Sequence, residues 1–265
     1  MKKLSVLAIA FVAIAFASCG GKQNAQTEAS ADSLKSFEQQ QIEASIKMNL
    51  DSIASEIGKL KQLPFLQNGT IELTKEEKQV KPDYLLNPSV ADEATTLAEK
   101  YRILRALSVD KKIAELYEMP TEDYDKAIAK LVADINDPSF KAIEDTNTLH
   151  ETSTALYDAM DENGRINYFW QLASAALIEQ LYDANQNVDK FIAAFDDDAA
   201  ANVSFRIVLI LDAVNRLSEY DTEIEPVAKA LAPLDVLNAT TVDELKAQIA
   251  EAKEPIAAAR KALVK

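Results

Sequence analysis

The side chains of this chain that could do chemistry are nearly all carboxylates. Its 265 residues include 43 aspartates and glutamates, but a single histidine, His150, and a single cysteine, Cys19. Catalysis by a serine or cysteine nucleophile needs a histidine beside it, and zinc sites are built largely from cysteine and histidine. With five glycines in the whole chain, the sequence also lacks a glycine-rich phosphate loop. We therefore expect no cofactor and no catalytic residues of these kinds.

Two short acidic stretches could contribute to a site for a hard cation, at residues 158–166 ("DAMDENGRI") and 196–198 ("DDD"). In the first, Asp161, Asn163 and Gly164 fit the third, fifth and sixth positions of an EF-hand loop, but its first and twelfth positions lack the carboxylates that bind calcium. We expect Gly164 to close a helix, and the three aspartates to cap the start of the next one. The sequence therefore predicts no metal site, and a cation-binding role remains a further alternative.

Pairs of carboxylates could also hydrolyse glycosidic bonds, which requires two carboxyl groups about 5–10 Å apart in a cleft. The sequence marks no such pair among its 43 acids. Asp212 and Arg216, four residues apart on a predicted helix, favour a structural ion pair over catalysis. A carboxylate-dependent hydrolase of envelope or periplasmic glycans remains the alternative to a non-catalytic protein.

The first residues, "MKKLSVLAIAFVAIAFASCGG", combine two lysines, an apolar run and small side chains. This order is typical of a secretory signal peptide, which we place at residues 1–18. The apolar run, from Leu4 to Phe16, is shorter than the about 20 residues that a membrane-spanning helix needs.

The end of this segment, "FASC" at residues 16–19, resembles the lipobox of bacterial lipoproteins. The resemblance implies that Cys19 becomes the amino terminus and carries a thioether-linked diacylglycerol and an acylated amine. The alternative is ordinary cleavage after Ala17, which leaves Cys19 as a free thiol. A lone thiol in an oxidising compartment invites intermolecular pairing, whereas lipidation consumes it, so the lipoprotein interpretation is favoured.

The small, polar residues 19–31 predict a lipidated, flexible tether in front of the folded part. Two or three acyl chains would hold it permanently, because each buried methylene contributes about 0.8 kcal/mol. By resemblance to Gram-negative lipoproteins, Gly20 after the cysteine implies transport to the outer membrane. The late first acid, Glu28, favours the periplasmic face over the cell surface.

The net charge restricts the partners. It is −15 for the whole chain and becomes −17 without residues 1–18, which contain two lysines and no acid. Such a chain is repelled by nucleic acid and by an anionic lipid surface. We therefore expect membrane attachment through the acyl chains on Cys19, no nucleic-acid binding, and a partner that is another envelope protein or an unknown ligand.

The alanine-rich composition and the scarcity of alternating β-branched residues predict an all-α fold. We expect a single domain over residues 32–265, built as an irregular bundle or array of about eight or nine helices. The first helix, from about Asp32 to Leu63, carries an apolar stripe that packs against the same domain or, as the alternative, against a second copy. The helix from Ala199 to Tyr220 is apolar over so wide an arc that we predict it to be central and mostly buried.

Further helices are expected over residues 89–107, with a shorter one ending at Met119, and near the end of the sequence. There, Thr241 and Glu244 predict a capping box, and Pro255 should kink or divide the last helix.

Residues 64–88 contain three prolines and no useful helical period, and they predict one long irregular loop. Its apolar side chains, Phe65, Leu66, Tyr84 and Leu85, argue for an ordered loop wrapped on the bundle. We predict this loop to be the contact surface of a lipid-anchored, non-catalytic binding or scaffolding protein of the cell envelope.

Overall fold

The regular secondary structure of the described residues is entirely helical. The computed structural model describes residues 41, 44–60, 71–142, 154–192 and 195–264, and the chain from Ile46 onward forms one compact unit. No strand occurs in these ranges, so the all-α prediction is confirmed. Over the same residues, no helix combines the length and the apolar character that crossing a bilayer requires.

Eleven α-helices lie within the described ranges, against the eight or nine expected. They are α1 (44–59), α2 (Lys75–Gln79), α3 (Leu97–Leu116), α4 (Glu122–Ile135), α5 (Thr154–Glu162), α6 (Ile166–Gln186), α7 (Val188–Phe191), α8 (Asp197–Ser218), α9 (Glu225–Leu231), α10 (Val242–Glu251) and α11 (Lys253–Leu263). Short 3₁₀ helices cover Pro88–Asp92, Pro138–Ala142 and Ala232–Val236. The additional helices include α2, which lies inside the predicted loop, and the pair α10 and α11, which replaces one helix divided before Pro255.

Five helices, α2, α3, α7, α8 and α10, begin where a capping side chain accepts a hydrogen bond from a backbone N–H of the first turn. Thr96 accepts a hydrogen bond from the N–H of Glu99, whose carboxylate accepts one from the N–H of Thr96 in return. This reciprocal cap starts α3 at Leu97, so residues 89–96 are not its first turns, and the helix continues unbroken to Leu116. The predicted pair of helices over residues 89–119 is therefore wrong.

Helices α3 and α6 form the centre of the fold. Ten consecutive residues of α3, Tyr101–Asp110, and thirteen of α6, Phe169–Leu181, are buried. The two helices pack along each other, and α11 covers another side of α6. The prediction that residues 199–220 form a central, mostly buried helix is wrong, because nine of the 22 residues of α8 are buried and Phe205 and Val208 are 45% and 48% exposed.

Helix α1 packs against the same unit, as expected of its apolar stripe. Leu50, Ile53 and Ile57 join the common core. Near the end of α1, a Cβ on Gly58 would lie 2.3 Å from Oγ1 of Thr154, so the glycine allows α1 and α5 to approach closely.

Within the predicted loop over residues 64–88, the part from residue 71 onward is described. Thr74 and Glu77 cap the five-residue helix α2. Residues 81–87 then follow as extended and bent chain. We call residues 81–87 the cover segment, because its backbone contacts the buried polar groups described next.

Buried hydrogen bonds fix the helices that surround those groups. Arg102 of α3 donates to the backbone carbonyl of Leu263 in α11 and to Oε1 of Gln171 in α6, at 2.9 and 2.7 Å. Gln171 donates in turn to the carbonyl of Glu223. Three helices are therefore held in register at one end by a single guanidinium.

Candidate functional site

Three carboxylates meet inside the helix packing without contact to solvent. Asp110 lies on α3, and Glu179 and Asp183 lie one turn apart on α6, and all three residues are 0% exposed. One oxygen from each lies within 4.8 Å of an oxygen of the other two. Together with Arg260 of α11, we call these residues the acidic centre.

The helix geometry explains why these side chains meet. Residues four apart project from the same helix face, so Glu179 and Asp183 point the same way from α6. That face packs against α3 and α11, which bring Asp110 and Arg260 to it.

Arg260 neutralises one of the three carboxylates. Its Nε lies 2.8 and 3.0 Å from the two oxygens of Glu179, and its Nη2 lies 2.6 Å from Oε1. The same Nη2 lies 3.7 Å from Oδ2 of Asp110, and the guanidinium stacks on the ring of Tyr182, 4.0 Å from its centroid. Arg260 is therefore locked on Glu179 by paired, charge-assisted hydrogen bonds.

The cover segment closes the centre with its backbone. The carbonyl of Tyr84 accepts a hydrogen bond from Arg260 at 3.2 Å, and the N–H of Leu86 donates to Oδ2 of Asp110 at 2.6 Å. The hydroxyl of Tyr124 in α4 donates to the carbonyl of Leu86, which fixes the segment from the other side.

The remaining oxygens of the centre have no hydrogen-bond partner within the described part of the chain. They are Oδ1 of Asp110 and both carboxylate oxygens of Asp183. Burial raises the pKa of Asp110 and of Asp183 well above the usual range, and the neighbouring Glu179 raises both pKa values further. Arg260 opposes this rise at Asp183 without cancelling it.

The charges of the acidic centre do not balance. Three carboxylates and one guanidinium carry a net charge of −2 when all four groups are ionised. A buried net charge is costly in a medium of low polarity, so the centre is stable only with added positive charge, as protons or as a bound cation.

The structure places two of the four predicted contact residues beside this centre. Tyr84 is half-buried and contacts Arg260 through its carbonyl, and Leu85 is half-buried against the core. Phe65 and Leu66, the other two, lie outside the described residues, as do His150 and the predicted lipidation site, Cys19.

The acidic stretches seen in the sequence serve the helices, as predicted. Gly164 ends α5 with a positive φ of 66°, and Asp196 caps α8 by accepting a hydrogen bond from the N–H of Ala199 at 2.7 Å. Asp212 and Arg216 form an ion pair at 3.0 Å on the exposed face of α8.

Sequence reasoning missed the acidic centre itself. The spacing of Glu179 and Asp183 on a helix that is otherwise rich in alanine and leucine is a usable signal, because acids on such a face must be paired or must bind something. Asp110 and Arg260 carry no comparable signal, since each is one of several charged residues on its helix.

Similarity to known proteins assigns no function to this chain. No protein-family model, no curated protein and no solved structure matches the chain.

Proposed function

We propose that this chain is a lipid-anchored, non-catalytic binding protein of the bacterial cell envelope, and that it binds a positively charged species in the acidic centre. The observation that carries the proposal is Asp183, whose carboxylate is fully buried and whose two oxygens lack hydrogen-bond partners in the described structure. A side chain of this kind is destabilising in a purely structural role. Its retention is explained by a ligand that supplies the missing charge.

The sequence supports the anchor and the location. The signal-peptide pattern over residues 1–18 and the lipobox-like "FASC" support a diacylglycerol on Cys19, and the small, polar residues 19–31 support a tether. Gly20 and the late first acid, Glu28, support the outer membrane and its periplasmic face.

A binding role fits the three carboxylates of the acidic centre better than glycan hydrolysis does. A glycosidase holds its sugar between two carboxyl groups that both reach a cleft. The three carboxylates of the acidic centre are instead 0% exposed and covered by the backbone of the cover segment. A sugar ring has no access to them in this conformation.

Thermal unfolding with a panel of cations tests the binding role. The panel is sodium, potassium, magnesium, calcium and methylammonium chloride, each added to the chelator-treated full-length protein in neutral detergent. A cation at about 100 times its dissociation constant stabilises the folded state by about 2.7 kcal/mol, which raises the melting temperature by about 5–10 °C. We expect at least one cation to do so.

Two variants show whether the cation acts at the centre. Asp183→Asn should remove the shift, and Asp212→Asn, which neutralises an exposed acid on α8, should retain it. If no cation of the panel shifts the wild-type protein, or if both variants respond equally, the proposal is wrong.

A further inference from the structure

The donor atoms of the acidic centre are those of a hard-cation site. All three candidate ligands are carboxylates, and such all-oxygen sets suit calcium, magnesium or manganese, whereas thiolates and imidazoles suit softer metals. Asp183 offers both of its oxygens and Asp110 offers Oδ1, none of which is hydrogen-bonded in the described structure.

The charge of the centre fits a divalent ion. The net charge of −2 with Arg260 in place is cancelled by one divalent cation, whereas one sodium or potassium ion leaves a buried charge of −1. An organic ammonium ion also leaves a buried charge of −1.

The dryness of the centre favours calcium over magnesium. Magnesium dehydrates reluctantly and usually keeps several of its waters, whereas the three carboxylates are fully buried. Calcium accepts carboxylate oxygens in a flexible geometry, which suits side chains that come from two helices.

The neighbours of the three carboxylates already have the arrangement of an outer coordination shell. The paired hydrogen bonds from Arg260 orient Glu179, and the N–H of Leu86 orients Asp110. Groups of this kind hold ligands in place before the metal binds. Asp183 is the ligand left without such support, which is expected of a side chain whose partner is the ion itself.

We infer that Asp110, Glu179 and Asp183 form a binding site for one divalent cation of the calcium class, with Arg260 as the fixed positive charge that completes a neutral centre. This inference rests on the proposed function, since it names the positively charged ligand. The cover segment lies over the bound ion, so this segment must move aside before an ion can enter. We expect the ion to enter beside Arg260, because it is the one member of the centre that reaches solvent, at 9% exposure.

Calorimetric titration of the full-length protein tests the inference. The protein is stripped with EGTA, freed of chelator in neutral detergent and titrated with calcium chloride or magnesium chloride. We expect one calcium ion per chain and at least tenfold weaker binding of magnesium. Asp183→Asn and Asp110→Asn should each weaken calcium binding at least tenfold, and Asp212→Asn should leave it unchanged.

Crystals grown with terbium, a calcium substitute, give an answer that does not depend on whether the variants fold. An anomalous peak within about 2.6 Å of the oxygens of Asp183 supports the inference, and a peak elsewhere on the chain overturns it. Equal calcium affinity of wild type and Asp183→Asn overturns it too.

The two proposals fail in different ways. If sodium, potassium or methylammonium stabilises the wild type through Asp183 while calcium and magnesium produce no heat, the divalent site is wrong and the binding function stands. If no cation binds at all, both are wrong.

Discussion

Asp183 costs the fold free energy unless a proton or a bound cation neutralises it. Replacing buried ionic groups by well-packed apolar side chains is commonly stabilising by about 1–4 kcal/mol. We predict that Asp183→Leu raises the free energy of unfolding of the cation-free protein by about 1–4 kcal/mol and abolishes its response to cations. Urea denaturation in EGTA measures the first effect, and the same experiment with calcium chloride measures the second. A large loss of stability in EGTA would instead assign Asp183 to the fold.

Arg260, unlike Asp183, stabilises the fold, because its removal leaves the buried carboxylate of Glu179 without a partner. We predict that Arg260→Met lowers the free energy of unfolding by about 3–5 kcal/mol, since Glu179 is then buried without its partner. The double variant Arg260→Met, Glu179→Leu should recover most of that loss. Urea denaturation of the two variants and the wild type tests this, and a double variant no more stable than Arg260→Met would contradict it.

The sequence predicted the helical class correctly but not which helix is central. Helix α8 looked central because its apolar residues cover a wide arc, yet Phe205 and Val208 face solvent. Helix α6 is buried through its middle, including the polar side chains of Gln171 and Glu179, because α3 and α11 pack against it. How many neighbours cover a helix depends on the tertiary packing, and the apolar pattern of a single helix does not contain that information.

The acidic centre could be predicted only in part, because its members come from three helices. The spacing of Glu179 and Asp183 is local and can be read from the sequence. The approach of Asp110 and Arg260 depends on how α3 and α11 pack against α6, and no periodicity within one helix contains that information. The cover segment was expected to be ordered, which it is, but its role is to contact the centre through backbone groups.

A hydrogen bond from α5 to α1 has a tyrosine hydroxyl as its donor, so the contact depends on pH in the alkaline range. Tyr157 is 3% exposed and donates to Asp51 at 2.8 Å, and Lys47 bridges Asp51 and Asp161 nearby. Burial raises the pKa of Tyr157 well above its ordinary value, and the hydrogen bond to Asp51 and the charges of Asp161 and Asp158 add to the effect. The folded protein therefore keeps this proton at a pH where an unfolded chain has lost it.

The difference in the pKa of Tyr157 between the folded and unfolded states makes the free energy of unfolding fall at alkaline pH. Because an unfolded tyrosine titrates near pH 10, the folded state loses stability as the pH rises above about 10, by about 1.4 kcal/mol at pH 11 for this one group. We predict that Tyr157→Phe is less stable than wild type by about 0.5–1.5 kcal/mol at pH 8, where it lacks only the hydrogen bond, and equal or more stable at pH 11. Urea denaturation at both pH values tests the crossing. Parallel losses in the two proteins would contradict it.

For the molecule as a whole, the negative charge opposes binding to an anionic bilayer, whereas the proposed acyl chains favour it. The net charge of −17 that remains without residues 1–18 repels an anionic bilayer, so membrane attachment depends on the proposed acyl chains. We predict that the native protein cofloats with vesicles that contain anionic phosphatidylglycerol, and that a protein of residues 20–265, which lacks both Cys19 and the apolar run, stays in the aqueous fraction even at low salt. Intact mass of the native protein should show the added diacylglycerol. Salt-sensitive binding of residues 20–265 to these vesicles would mean that the folded part has a basic surface of its own, and an unmodified Cys19 in the native protein would overturn the anchor.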